Sequence, residues 1–443
     1  MTRVSRKTYI YDPLYGICYL PGFVWDVIPS VELQRLREVR LCNINSFCLT
    51  GGANVNRYEH AVGTCKLAQE CLESWPLLNP VSLQERQHFL LAALLHDIAS
   101  AAFGHSVEYI ESQAGFDHEE AFSHVVLGQA GGPYLYKSTT LEPIFFGMPR
   151  SISTKIPMED LKAIGEIIAG KGRFGPLMNS TMDLDNIDNV FRLAYHIGIV
   201  RSAETPMKLA KSLWTEDGEL VLKSESISLV EAWHRVRKRL YQFLLLNPEE
   251  FSAKCMLTEA IEISKSKEAH AFNWYDVDFE LFQQLSRVSS ETSSIVSRLM
   301  RGDLYGSIGI FSTPNTKIQR VLLDRGQRLT LEEKLSSAIR SKFPSRFKSA
   351  MIALHIIVDI NKTERQVQIR RDDGKTVSIG NRSNQLLIGT FFKNVGLNMY
   401  DVSKLPEGTI RNVRQEIMAV LSDALGDREL KEVKLYGEAT EGQ

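Results

Sequence analysis

The stretch LLHDIASAAFGH, Leu94 to His105, sets an imidazole and a carboxylate side by side, His96 and Asp97, in an apolar, alanine-rich run. Its other polar groups are Ser100 and His105. A carboxylate taken out of water costs several kcal/mol unless it is paired or bound to metal. A divalent cation is the partner that satisfies both groups at once, since a carboxylate and a neutral imidazole each offer it a lone pair. Adjacent side chains on an α-helix diverge by about 100°. The pair therefore converges only on a point beside the helix that other elements enclose. Taken alone, such a pair is more often a core histidine satisfied locally beside a capping aspartate, so the rest of the chain decides.

The elements that must enclose such a point are mostly helical over the first 240 residues. PSVELQRLREVRLCNI (29–44) carries apolar residues at Val31, Leu33, Leu36, Val39 and Leu41, the pattern of an amphipathic helix opened by Pro29-Ser30. NRYEHAVGTCKLAQECLESW (56–75) has helical spacing, and SLQERQHFLLAALLHDIASAAFGH (82–105) reads as a helix opened by the capping box Ser82 and Glu85. TMDLDNIDNVFRLAYHIGI (181–199) is a helix whose acidic start suits the dipole. Residues 226–265 form a long helical region that Pro248 breaks. After about 315 the pattern turns to strands: ALHIIVDI (353–360), then QVQIRRDDGKTVSI (366–379) with a hairpin turn at Asp372-Asp373-Gly374. GTIRNVRQEIMAVLSDALGD (408–427) closes the chain as a helix stopped by Gly426. The expected class is mainly α, with a helical core over 1–245, a helical extension over 246–330 and a small α/β C-terminal region over 331–443.

Composition limits the alternatives. The 52 Lys and Arg nearly balance 53 Asp and Glu, which argues against a dedicated polyanion binder. The six cysteines, Cys18, Cys42, Cys48, Cys65, Cys71 and Cys255, form no C-x-x-C pair and read as reduced core thiols. MTRVSRKTYIYDPLYG lacks an apolar signal core and no apolar run reaches membrane-spanning length, so a cytoplasmic protein without a membrane partner is expected. His88 reads as a surface residue. His124, His196, His234, His270 and His355 lack ligand-like spacing and read as structural or exposed.

In its order of residues, His60, then His96-Asp97, then Asp185, the chain resembles the HD-domain metal phosphohydrolases. It is similar, more narrowly, to the deoxynucleoside triphosphate triphosphohydrolases, the branch that holds the bacterial dGTPases and the vertebrate SAM-and-HD-domain enzyme. YDPLYGICYL resembles that family's D-P-x-x-G segment. LQRLREVRLCNINSFCLTGGANVNRYEHAVG resembles its Q-R-L-R and G-x-x-x-x-R-[FY]-E-H-x-x-G signature. LLHDIASAAFGHSVE, FDHEEAF, MDLDNIDNVFRLAYHIG and SLVEAWHRVRKRLY resemble its later segments, so that the likeness covers about 8 to 245.

The resemblance implies an HD-domain helical core with His60, His96, Asp97 and Asp185 as ligands of one divalent metal ion. The mixed nitrogen and oxygen donors do not choose among Mn, Mg, Fe, Zn and Ni. It implies Arg57 and Arg237 on a triphosphate, and His105, Glu108, His118 and Glu119 as the catalytic set around them. It further implies water attack at the α-phosphorus of a nucleotide, releasing nucleoside and tripolyphosphate. A homo-oligomer (dimer, tetramer or hexamer) and a nucleotide effector go with it.

Several positions depart from the family pattern. Ala99-Ser100 stand where it has Gly-His, Asn189 and Leu193 where it has the sugar-reading Tyr and Asp, Leu41 for a sugar-contacting Gln, and Asn186 for a phosphate-binding Lys. Asn247-Pro248 replace a His-Lys pair. Loss of a hydrogen-bonding partner relaxes discrimination by ~1–3 kcal/mol per group. Asn189 and Ser100 thereby become substrate-side residues of altered sugar recognition, open to a ribonucleotide, a modified sugar or an oligonucleotide 3′ end. Two other classes stay open: an HD-type 3′ nuclease, and a nucleotide-responsive component of an antiphage or signalling system with weak catalysis. The basic run HRVRKRLYQF (234–243) reads first as a solvated helix face and keeps nucleic acid open as a partner.

Overall fold

A computed structural model describes residues 8–42, 54–104, 121–122, 126, 140–141, 148–149, 151–267, 276–360, 362 and 364–433. The chain is mainly α, an HD-type helical core followed by an α/β C-terminal region. It opens with a hairpin of β1 (Tyr9–Asp12) and β2 (Gly16–Tyr19). The Asp12 carboxylate accepts from the N–H groups of Leu14 and Tyr15 at 2.8 and 2.7 Å, which tightens the Asp12–Gly16 turn.

The expected helix over 29–44 is shorter than its pattern. It runs as α1 (Val31–Arg35) and a single 3₁₀ turn to Glu38, after which Val39 is extended. The chain leaves the helix there because Arg40 pairs as a β-bridge with Asn56, and Leu41 N–H donates to Val55 O at 2.8 Å. Long-range backbone pairing overrides helical periodicity in this segment.

Two packed helices follow, α2 (Arg57–Glu73) and α3 (Leu83–Leu95). The Ser82 and Glu85 capping box forms at the start of α3. The helix does not continue through His105. It ends at Leu95, and His96 to Gly104 form successive turns, with Phe103 at φ 52° and Gly104 at φ 43°. Fully buried Arg35 is the physical reason: its guanidinium takes the carbonyls of Ile98 and Ser100, which a continued helix would have used internally.

The core is completed by α4 (Met158–Ile168) and α5 (Leu184–His196). A strand pair, β3 (Leu213–Glu216) and β4 (Glu219–Leu222), leads into α6 (Ile227–Leu246). Asn247 separates α6 from α7 (Pro248–Lys267) and caps α7 by accepting from Glu249 and Glu250 N–H at 3.0 Å each. The C-terminal region is a four-stranded sheet in the order β10-β5-β9-β6: β5 (Gly306–Thr313), β6 (Ile352–Ile360), β9 (Asn384–Phe392) and β10 (Lys431–Glu432). Against it pack α8 (Arg325–Lys342) and α9 (Glu407–Leu425), the latter ended by Gly426 in the left-handed conformation. Between β6 and β9 the chain sends out a hairpin, β7 (Val367–Arg371) and β8 (Thr376–Ile379), and β7 pairs in parallel with β4 of the helical core. Val367 and Ile369 are buried in the same apolar cluster as the core helices. Among the described residues no helix is long and apolar enough to cross a membrane. Of the six cysteines, the five described are buried and unpaired by disulfides.

Candidate metal centre

Asn56 opens α2 by accepting the Glu59 N–H at 2.9 Å, and this places His60 on the first turn, facing α5. His60 Nδ1 lies 2.6 Å from Asp188 Oδ2. A carboxylate accepts only, so Nδ1 carries the hydrogen and the Nε2 lone pair points the other way. His96 is fixed likewise: its Nδ1–H donates to Ala93 O at 2.9 Å. The two Nε2 atoms face each other at 3.2 Å. Asp185 Oδ1 lies 2.8 Å from the first and 3.6 Å from the second, while Asp97 Oδ2 lies 3.8 Å from each.

Electron-rich atoms gathered this closely require a positive charge among them. Burial opposes charge on both rings, yet Asp185 and Asp188 raise His60 to about 10, and Asp97 and Asp185 raise His96. Burial would lift Asp97, but Arg57, His96 and His60 hold it well below the ordinary carboxylate range; Asp185 is lowered by both histidines against the same burial. One proton on His60 would satisfy Asp185 and leave Asp97 Oδ2 unserved. That oxygen is buried and has no hydrogen-bond partner among the described residues. A divalent cation answers all the donors together, and the ligand atoms of His60, His96 and Asp97 all lie within 4.8 Å of one another. These residues fit a divalent metal ion.

The break after Leu95 lets His96 and Asp97 point to one place. The helix expected there would have splayed them. Asp97 is aimed by its other oxygen: Oδ1 accepts from Arg57 Nη1 at 2.5 Å and from Ser100 Oγ at 2.8 Å. Arg57 and Ser100 are both buried and both turned to Asp97. Asn189 stands one helical turn beyond Asp185 on the same face, its Oδ1 buried without a hydrogen-bond partner among the described residues. Arg237 is 1% exposed, lies 4.3 Å over the Tyr241 ring and donates from Nη1 to Lys362 O at 2.6 Å. His105, Glu108, His118 and Glu119 lie outside the described residues.

The sequence reading did not single out the groups behind His60. Asp188 also receives Arg192 Nε at 2.8 Å and Nη2 at 3.0 Å, and Arg192 Nη1 reaches Asp12 at 3.0 Å and Glu59 at 2.5 Å. Glu59 pairs with His196 at 2.7 Å. The spacing Asp185, Asp188, Arg192, three and four apart, was a visible signal that these groups share a face with Asp185. Gly63 is part of the same device: a Cβ there would sit 1.9 Å from Arg192 Nη2 and 2.3 Å from Asp188 Oδ1. Only glycine lets that ion pair lie against α2.

Residues 57–131 match the HD domain family. The chain is 24% identical over 281 residues to the uncharacterized protein YwfO of Bacillus subtilis, an alignment that covers 62% of this chain and 61% of that one. It is 24% identical over 344 residues to the MG461 homolog of Mycoplasma pneumoniae, covering 72% and 76%. It is also 24% identical over 281 residues to the deoxynucleoside triphosphate triphosphohydrolase SAMHD1 homolog of Dictyostelium discoideum, covering 59% of this chain and 51% of that one. The match and these similarities support an HD-domain phosphohydrolase family, and the HD domain points to a metal-dependent hydrolase.

Proposed function

We propose that the chain is a metal-dependent nucleotide phosphohydrolase, a (d)NTP triphosphohydrolase that releases nucleoside and tripolyphosphate. The observation that carries this reading is the convergence of two tautomer-fixed Nε2 atoms with the otherwise unserved Oδ2 of Asp97. We take His60, His96, Asp97 and Asp185 as the ligand set. The printed name of the Dictyostelium relative supports the substrate class. Bound there, a divalent cation supplies Lewis-acid charge for a phosphoryl oxygen. Asp188 and Ala93 O keep the imidazoles in the ligating tautomer, and Arg57 and Ser100 keep one oxygen of Asp97 turned inward. Asn189, one turn beyond Asp185, takes the sugar side in this reading. His105, Glu108, His118 and Glu119 are the proposed proton-handling groups.

Incubation of the full chain with single and paired NTPs and dNTPs in Mn²⁺ or Mg²⁺ tests the reading. Release of tripolyphosphate supports it. Shortening of labelled single strands without tripolyphosphate replaces it with a 3′ nuclease. Turnover of nothing, with a thermal shift on one nucleotide, replaces it with a nucleotide-responsive partner protein. Asp185→Ala removes metal binding and activity together; full activity in that variant overturns the ligand set.

A further inference from the structure

The turn from His96 to Gly104 lies across two cores. Leu94, Leu95, Ile98 and Ala99 are buried in the cluster that joins α2 to α5, but Ala101, Ala102 and Phe103 are buried in a second one. That second cluster is built by α7, by the helices Asp278–Val288 and Ser290–Arg301 that follow it, and by the C-terminal sheet. The later half of the turn therefore takes its place from elements that carry no candidate ligand.

Phe103 is the strained point of the turn. Its φ of 52° is a left-handed value that a bulky side chain rarely adopts. Such a conformation persists only where its surroundings over-determine it. Two contacts do so here, both from the helix Asp278–Val288. Asp278 Oδ1 accepts the Phe103 N–H at 2.8 Å, and the Phe282 ring packs 4.7 Å from the Phe103 ring. Asp278 is 5% exposed, and its other oxygen accepts the Arg40 N–H at 3.1 Å, which ties the turn to the extended segment after α1. Two residues earlier, Asp276 O accepts from Arg35 Nη1 at 3.2 Å, and Arg35 holds the carbonyls of Ile98 and Ser100. Two points of the turn are thus anchored on one stretch, Asp276 to Asp278.

From Phe103 to the metal-facing groups the path is short. Gly104 follows at φ 43°, and its backbone lies against the Arg57 guanidinium: a Cβ there would meet Nη2 at 2.3 Å. Arg57 Nη1 donates to Asp97 Oδ1, which leaves Asp97 Oδ2 turned to His60 and His96. A shift of Phe103 moves Gly104, and Gly104 is packed on the arginine that aims Asp97.

We propose that Asp278 is a positioning residue of the metal centre: by holding Phe103 in its left-handed conformation it sets Gly104 against Arg57 and so fixes the direction of Asp97. The proposal rests on reading His60, His96 and Asp97 as a metal centre. Asp278 acts through the Phe103 N–H, from 175 residues further along the chain. The donors of the helical core are then aimed in part by the helices that follow α7.

Asp278→Asn in the full chain tests this. Asparagine keeps the shape but offers one accepting oxygen to two N–H donors, so its NH₂ meets either Phe103 or Arg40. The control is Ser289→Ala, which removes the side-chain cap of the helix Ser290–Arg301, where Ser289 Oγ accepts the Thr292 N–H at 3.2 Å. Both variants should lose stability in urea unfolding of the apo-protein. Mn²⁺ affinity, read by calorimetric titration, should fall about three- to tenfold in Asp278→Asn, less than for a group bonded directly to a ligand. In Ser289→Ala it should stay within about twofold of wild type. Hydrogen exchange of the apo-protein, read by mass spectrometry, should speed up over residues 96–104 in Asp278→Asn alone. Wild-type affinity or unchanged exchange in Asp278→Asn, or an equal loss of affinity in Ser289→Ala, overturns the proposal and leaves the metal centre standing. A wild-type protein that binds no Mn²⁺ refutes the metal centre, and with it any role for Asp278 there. If Asp278→Asn does not fold, Phe282→Leu decides: it loosens Phe103 with Asp278 in place, and unchanged Mn²⁺ affinity in that variant overturns the proposal.

Discussion

Asp188→Asn separates the metal centre from its support without touching a metal-facing group. Asp188 is fully buried and binds His60 Nδ1 at 2.6 Å on one side and Arg192 on the other. Asparagine has the same shape but only one accepting oxygen. If its NH₂ faces Arg192, two donors collide; if it faces His60, the imidazole hydrogen moves to Nε2 and blocks the lone pair a metal needs. Loss of such an orienting carboxylate weakens metal binding 10- to 100-fold, about 1.4–2.7 kcal/mol. Arg192 keeps Asp12 at 3.0 Å and Glu59 at 2.5 Å, so the fold survives with an apo-protein loss of about 1–3 kcal/mol. The assay is thermal and urea unfolding with and without Mn²⁺, alongside calorimetric titration of the metal. At a metal concentration 100 times the wild-type Kd, binding stabilises the wild type by ~2.7 kcal/mol, and a 30-fold loss of affinity leaves ~0.9 kcal/mol in the variant. A folded Asp188→Asn protein that binds Mn²⁺ within about twofold of wild type would show that Asp188 does not orient a ligand, or that His60 is not one.

Three further outcomes follow from the same geometry. Gly63→Ala drives a methyl group into the Arg192 and Asp188 pair and should cost about 1–3 kcal/mol in urea unfolding, with metal affinity falling alongside; wild-type stability would refute the close approach. Ser100→Ala removes one of two donors to Asp97 Oδ1 and should weaken Mn²⁺ binding by a few fold, about 0.5–1.5 kcal/mol, while Ser100→His, at a fully buried position, should disrupt the turn; a gain of nucleotide turnover in Ser100→His would instead place Ser100 in the substrate pocket. His355 is pushed down to about 3, by burial first and then by Arg328, Lys254 and Lys362. The unfolded chain protonates this histidine near pH 6.5 and the folded one only near 3, so it removes stability as pH falls through that window, by up to about 1.4 kcal/mol per unit. Nearby Glu332, held up to about 7 by burial, acts in the opposite sense above about pH 4.5. The reading is therefore the difference between His355→Gln and wild type: the variant should lose less stability on acidification, and parallel curves would refute the assignment.

Much of the chain's local structure was legible from short-range chemistry. The capping box at Ser82, the break at Pro248, the turn before Gly374 and the stop at Gly426 all lie where their residue types put them, because each acts through bonds or dihedral preferences within a few positions. That His60, His96 and Asp97 gather into a cluster that could hold a metal ion was legible for a similar reason, since they stand in recognisable segments. Where the long-range partners of buried groups lie was not legible. Arg35 ends the helix before His96 by taking two carbonyls more than sixty residues away, Arg192 finds Asp12 at the other end of the core, and Arg365 reaches Thr181 from the C-terminal region. A buried charge must be satisfied, but periodicity and propensity say only that some partner exists. Which one it is depends on how distant segments pack, and that packing turned two adjacent residues of an expected helix into convergent donors at one point.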